Sequence, residues 1–289
     1  MSMRLDMLQA ASKAPQLLGD STARVEQFLR SQLNPDGGFK DRAGDSDVYY
    51  SVFGLAGLMA IGAEVPWDLV ADYLASITNV ESLDLVHTGC LARCWAALPE
   101  GYGGGPRDAI RRRVMAFRSG DGAFAAKPGK ASGTLYGCYV AVGIHEDLGI
   151  PIPAAVADSV AKLRQADGGY ANGDGPVIGL IPATAAAVVI LPKLVGADTA
   201  QWMLTQQHAK GGFLAIPDAP IPDLLSTATA LHALATLHAD LQPLKETTLD
   251  FIDTLWSPDG GFHGHWEDDA LDCEYTFYGL LALGHLSEC

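Results

Sequence analysis

Two apolar patterns alternate along the chain. In segments such as Thr22–Gln32 and Pro153–Arg164, apolar residues (Val25, Phe28, Leu29; Val160, Leu163) recur at helical spacing between charged ones, which marks an amphipathic helix lying on a core. In segments such as Val48–Ile61 and Ala183–Val195, charge is nearly absent and Ala and Gly are frequent. A helix that is apolar all round is buried all round. The spacing predicts outer helices at Thr22–Gln32, Trp67–Ile77, Arg107–Arg118, Pro153–Arg164, Thr199–His208 and Leu244–Trp256. It predicts inner helices at Val48–Ile61, Leu85–Leu98, Thr134–His145, Ala183–Val195, Leu224–Leu237 and Cys273–Leu286.

A glycine turn ending in an aromatic residue separates outer from inner helix five times: Asp36-Gly37-Gly38-Phe39, Asp121-Gly122-Ala123-Phe124, Asp167-Gly168-Gly169-Tyr170, Gly211-Gly212-Phe213 and Asp259-Gly260-Gly261-Phe262. Neighbouring copies lie 43–49 residues apart and the first gap is about twice that, so one copy has decayed. A period of this size is one supersecondary unit stacked repeatedly, each copy needing its neighbours to bury its apolar face. The last inner helix, with Tyr275-Thr276-Phe277-Tyr278, is as apolar as the middle ones and lacks the polar cap of an open solenoid. The expected fold is therefore an all-α toroid of six helical hairpins (an α6/α6 barrel). It is read as a single domain over residues 1–289, with residues 1–20 as an N-terminal extension.

Composition narrows the partners. Hydrophobic residues are 48% of the chain, and 34 acidic against 19 basic residues leave a net charge of −15, which repels nucleic acid and anionic membrane. Five cysteines form no C-x-x-C pair, which fits a reducing cytoplasm, and no stretch approaches the length of a transmembrane span. A cytoplasmic protein is the expectation.

The inner helices of a toroid run parallel, so their N-termini gather at one mouth. Asp47, Asp84, Asp223 and Asp272 stand at four such starts and suit N-caps. Asp272 and Glu274 share one start: the first suits the cap, and the second lies nearer apolar walls, where desolvation raises a carboxyl pKa and makes a proton donor. His263, His265, Asp268, Asp269 and Asp272 read either as a solvated acidic loop or as ligands for a divalent metal. Tyr49, Tyr50, Trp95, Tyr136, Tyr275 and Tyr278 are candidate walls for an apolar chain or a carbocation.

The turn Gln165-Ala166-Asp167-Gly168-Gly169-Tyr170, with Tyr50-Ser51-Val52-Phe53-Gly54-Leu55 and Tyr275-Thr276-Phe277-Tyr278-Gly279-Leu280, resembles the QW-type repeats of squalene–hopene cyclases and protein prenyltransferase β subunits. The resemblance covers nearly all of the chain after Asp20 and implies an isoprenoid or other apolar substrate. From the prenyltransferases it implies an α-subunit-like protein partner, with Lys127, Lys130 and Tyr136 at positions that hold a prenyl diphosphate. Their zinc ligands are replaced here by Gly133, Leu135 and Ala183, while Asp84-Leu85-Val86-His87-Thr88 carries the zinc-histidine pattern in another repeat. No register completes a zinc site, so neither metal nor cofactor is expected, and His87 remains a candidate catalytic group. From the class II cyclases, whose acid motif is Asp-x-Asp-Asp-Thr-Ala, Asp272-Cys273-Glu274-Tyr275-Thr276 keeps carboxylates at the first and third positions. The leading expectation is an isoprenoid-handling enzyme resembling a prenyltransferase β subunit, with Asp272 and Glu274 in acid–base roles. The alternatives are a class II cyclase-like enzyme and a non-enzymatic lipid- or peptide-binding toroid.

Overall fold

The computed structural model describes residues 2–173, 178–193 and 195–288; Leu194 of the expected Ala183–Val195 helix and Cys289 lie outside these. The helices are α1 (Met3–Ala11), α2 (Pro15–Leu18), α3 (Thr22–Ser31), α4 (Val48–Ala60), α5 (Trp67–Ser76), α6 (Leu85–Ala97), α7 (Arg107–Met115), α8 (Leu135–Leu148), α9 (Ala155–Ala161), α10 (Ile181–Ile190), α11 (Ala197–Thr205), α12 (Leu224–Thr236), α13 (Lys245–Thr254) and α14 (Cys273–Leu286). The even-numbered helices from α4 to α14 form the inner ring, each packed on the next, and α14 returns to α4. The odd-numbered helices from α3 to α13 form the outer layer, so the fold is the α/α toroid of six hairpins.

Local chemistry sets where each inner helix starts. Asp47 accepts from the Tyr49 amide at 2.6 Å, Asp84 from His87 at 2.8 Å, Thr134 from Gly137 at 3.1 Å, Asp223 from Ser226 at 2.7 Å and Asp272 from Tyr275 at 2.9 Å. Each satisfies an N–H that the helix itself leaves unpaired. α10 opens on Leu180, which makes no side-chain cap, and carries Pro182 in its first turn. It ends at Ile190, short of the expected boundary, because Pro192 disfavours helical backbone in the residue before it.

A second device ties the glycine turns to the inner helices. The buried amides of Phe39, Tyr170, Phe213 and Phe262 donate to the hydroxyls of Ser51, Thr184, Thr227 and Thr276 at 3.0, 2.9, 2.9 and 3.4 Å. Ser51, Thr227 and Thr276 in turn donate to the carbonyls of their own cap residues at 2.7 Å. In the third repeat the Cys138 thiol takes this position, 3.6 Å from the Phe124 carbonyl. The decayed copy is a 3₁₀ turn at Val80–Ser82. The turn aromatics then fill the layer between the rings, as Phe39 does against Gly54, where a Cβ would stand 2.1 Å from the Phe39 ring.

Closure is physical as well as topological. Phe53 of α4 packs on Phe277 and Tyr278 of α14, with ring centroids 6.1 and 5.6 Å apart. Arg42, in the first glycine-turn loop, reaches Asp272 and Asp268 of the last repeat at 2.9 Å each.

The segment read as an extension does more than extend. α1 crosses the C-terminal end of the inner ring, packing on α14, α4 and α8, and buries Met3, Met7, Ala10 and Ala11. Its backbone touches Gly284 so closely that a Cβ there would stand 2.0 Å from the Ala10 carbonyl oxygen. The Met3 amide donates to Glu146 at 2.9 Å, and Arg4 donates to the Ala96 carbonyl at 3.0 Å and to Asp147 at 3.3 Å. The ring is thus stoppered at the end opposite the mouth where the helices start.

Candidate functional site

Inside the ring lies a two-lobed cavity. Met7, Tyr49, Tyr136, Tyr139 and Tyr278 border both lobes. The larger lobe, about 250 Å³, is walled by Pro182, Ala185, Ala186 and Val189 of α10, Leu225, Thr229 and His232 of α12, and Glu274 and Leu281 of α14. The smaller, about 100 Å³, is walled by Val52, Phe53, Val86, Gly89, Cys90 and Val140, with Arg93 and Asp147 at its base. The small residues of α10 create the space, and the tyrosines give it an aromatic rim.

Glu274 lies in the first turn of α14 and lines the larger lobe. The Tyr49 phenol donates to its Oε1 at 2.5 Å. Burial pushes the Glu274 carboxyl up from its ordinary value, and the Asp272 charge adds to this, while Tyr49 and Arg42 pull it back. Burial also raises the Tyr49 and Tyr278 phenols, and takes that of Tyr136 to about 12. Asp272 has a different environment. It is 2% exposed, caps α14 and pairs with Arg42, whose guanidinium also stacks over Tyr275 at 5.6 Å from the ring centre. One carboxyl is therefore tied into the frame and the other faces the cavity.

The other expected residues divide by place. His87 bridges two caps at the mouth, with Nδ1 2.8 Å from Asp84 and Nε2 3.5 Å from Asp47. The Asp47 hydrogen bond, then Asp84, against burial, pushes its pKa up to about 9. Val86, not His87, lines the smaller lobe. Tyr50 packs edge-on to Tyr49, with centroids 5.4 Å apart, and with Tyr275 it borders the mouth rather than the cavity wall. Three further expected residues lie away from both lobes. Trp95 packs its ring against Gly105 and lines neither lobe. Lys127 and Lys130 stand exposed on the loop before α8, and neither lines the cavity with Tyr136.

Protein contacts order the loop around His263 and His265: His263 Nδ1 donates to the Ala270 carbonyl, His265 Nδ1 accepts from the Glu267 amide, and Arg42 holds Asp268. Among the described residues, no three His, Cys, Asp or Glu side chains are grouped to hold a metal ion. The described cysteines Cys90, Cys94, Cys138 and Cys273 are free thiols, and burial raises all four. Among the described residues, no helix is long and apolar enough to cross a membrane.

Arg42, Met7, His232 and the pair Arg93–Asp147 escaped the sequence reading. Arg93 had a signal: apart from His87, it is the one charged residue on α6, and a charge on a buried helix needs a reason.

The profile of the prenyltransferase alpha-alpha toroid domain matches residues 5–88, 76–193 and 185–288. Among solved structures, a variant of the type II terpene cyclase MstE from Scytonema, in complex with geranylgeranyl dihydroxybenzoate, aligns over 95% of this chain and 97% of its own, at 13% identity and TM-score 0.61. Candida albicans protein geranylgeranyltransferase-I complexed with GGPP aligns over 98% of this chain and 82% of its own, at 14% identity and TM-score 0.52. A glycosyl hydrolase family 88 protein from Bacteroides vulgatus aligns over 96% and 99%, at 14% identity and TM-score 0.60. At such identities the likeness carries the fold and not the chemistry. No curated protein matches the sequence.

Proposed function

The chain belongs to the prenyltransferase alpha-alpha toroid family, and on that premise we propose that it is an isoprenoid-handling enzyme of the cyclase kind, with Glu274 as its acid. The observation that carries the reading is the placement of Glu274. It stands third in Asp272-Cys273-Glu274-Tyr275-Thr276, where the class II cyclase motif has its central acid, and it lines an apolar, tyrosine-rimmed lobe. Burial favours its protonated form, and Tyr49 orients one oxygen, leaving the other to present the proton.

A prenyl chain lying in the larger lobe receives that proton at a terminal alkene. The π pair becomes the new C–H bond and the more substituted carbon becomes cationic. The next alkene attacks the cation and closes a ring. The final cation loses a proton and re-forms an alkene, so the product is an isomer of the substrate and no co-reactant is consumed. Tyrosine faces stabilise the cation through their quadrupoles. His232 lines the same lobe as a base, because burial pushes its pKa down to about 4 and keeps it neutral. An epoxide at the chain end lowers the demand on the acid, since oxygen is more basic than an alkene carbon. Diphosphate transfer draws less support, because Lys127 and Lys130 stand outside the cavity lining.

The test is incubation with geranylgeraniol and its terminal epoxide, analysed by gas chromatography–mass spectrometry. The expected result is a cyclic isomer of unchanged mass from the native protein and none from Glu274→Gln. Equal product from the two proteins removes Glu274 from the chemistry.

A further inference from the structure

Resting on that reading, we propose that the smaller lobe is a subsite for a compact carboxylate head, so that the substrate is an isoprenoid acid bound head-down on Arg93 with its chain in the larger lobe. The two lobes differ in chemistry. The larger is walled mainly by apolar and tyrosine side chains, with Glu274, Thr229 and His232 its other polar groups, whereas the smaller ends on an arginine and an aspartate inside the ring.

The ion pair there is unevenly matched. Asp147, with a side chain only 4% exposed, is held by Arg4 of α1 at 3.3 Å, while Arg93 lies 4.0 Å from its other oxygen. Two guanidinium groups thus share one carboxylate, and Arg93 has the longer contact. Glu146, the neighbouring carboxylate, accepts the Met3 amide at 2.9 Å. The Tyr139 hydroxyl is a further side-chain partner of Arg93. Arg93 keeps 22% of its side chain accessible and lines the smaller lobe, so an anion entering that lobe meets its guanidinium. A guanidinium fork matches a carboxylate in two parallel bonds. The lobe, about 100 Å³, exceeds the roughly 10–15 Å³ that one water needs, so it has room for a small head group.

Orientation follows from the shared wall. A head on Arg93 sends the chain past Tyr136, Tyr139 and Tyr278 into the lobe where Glu274 waits. The polar base therefore dictates which end of the chain meets the acid.

The probes are geranylgeranoic acid and geranylgeraniol, which share a chain and differ in the head. Their binding to the full chain is followed by isothermal titration. The acid is expected to bind about tenfold or more tighter than the alcohol, because a charge-assisted contact is at stake. Arg93→Met removes that preference and leaves the alcohol unaffected. Arg93→Lys weakens the acid alone, which keeps the test open if Arg93→Met fails to fold. Glu274→Gln retains the preference while losing turnover, so the subsite and the acid assignment fail separately. Equal affinity of the two ligands for the native protein, a preference that survives Arg93→Met, or binding of neither ligand overturns the proposal.

Discussion

Replacing Glu274 by Gln distinguishes a cavity proton donor from a structural anion. Burial raises the folded-state pKa of this carboxyl above its ordinary value of 4.5. Above that value the unfolded chain releases its proton while the folded protein keeps it, so stability falls as pH rises towards the folded pKa. Each unit of separation is equivalent to about 1.4 kcal/mol. Glu274→Gln removes this pH-dependent loss. Its amide oxygen still accepts from Tyr49, so the hydrogen bond, worth about 1 kcal/mol, stays in place. The variant should melt at or above the native protein near about pH 8 and show a flatter profile down to about pH 5. Turnover should fall by about 10²–10⁴-fold with the loss of the general acid. Circular dichroism melts across that range, paired with the product assay, read both arms. A variant that melts lower at the alkaline end yet turns over normally would refute the argument, since it would show a carboxylate the fold needs charged.

Three further outcomes follow from the frame around the site. Arg42→Ala leaves the buried Asp272 carboxylate without its cation; because the arginine is 42% exposed, the cost falls between the surface and buried limits, about 1–3 kcal/mol by urea unfolding, and an unchanged midpoint would show that the pair does not hold the ring closed. Gly54→Ala gains about 1 kcal/mol of helix propensity but drives a Cβ into the buried Phe39 ring, an overpacking cost of about 1–3 kcal/mol, so the variant should be destabilised, and a rise in melting temperature would contradict the contact. His87 titrates near 6.5 when unfolded and near 9 when folded, so its stabilising contribution is complete below the first value and is lost as pH climbs through the second; the melting-temperature gap between native protein and His87→Ala should close over that interval, and a constant gap would rule out the Asp47–His87–Asp84 bridge.

What the sequence determined was whatever depends on short-range order. The period of the glycine turns set the toroid, and the caps at Asp47, Asp84, Asp223 and Asp272 were legible because a cap acts on amides two or three residues ahead. The different settings of Asp272 and Glu274 followed for the same reason, since one caps the helix and the other stands in its first turn. The Ser and Thr residues that lock the turns were visible in principle at a fixed position in each repeat, yet hydroxyls on a buried helix resemble filler until their partners are seen. Tertiary structure alone decided the rest. Arg42 meets Asp272 across 230 residues, and Arg4 meets Asp147 across 143, only because the ring closes and α1 stoppers it. Lys127 and Lys130 matched a register on paper, but their loop holds them exposed, outside the cavity lining. Trp95 sits on an inner helix but packs against Gly105 and lines neither lobe. On a helix buried on every side, the sequence carries no moment to say which face meets the axis. That choice is made by the neighbours, and the chemistry of the cavity is made with it.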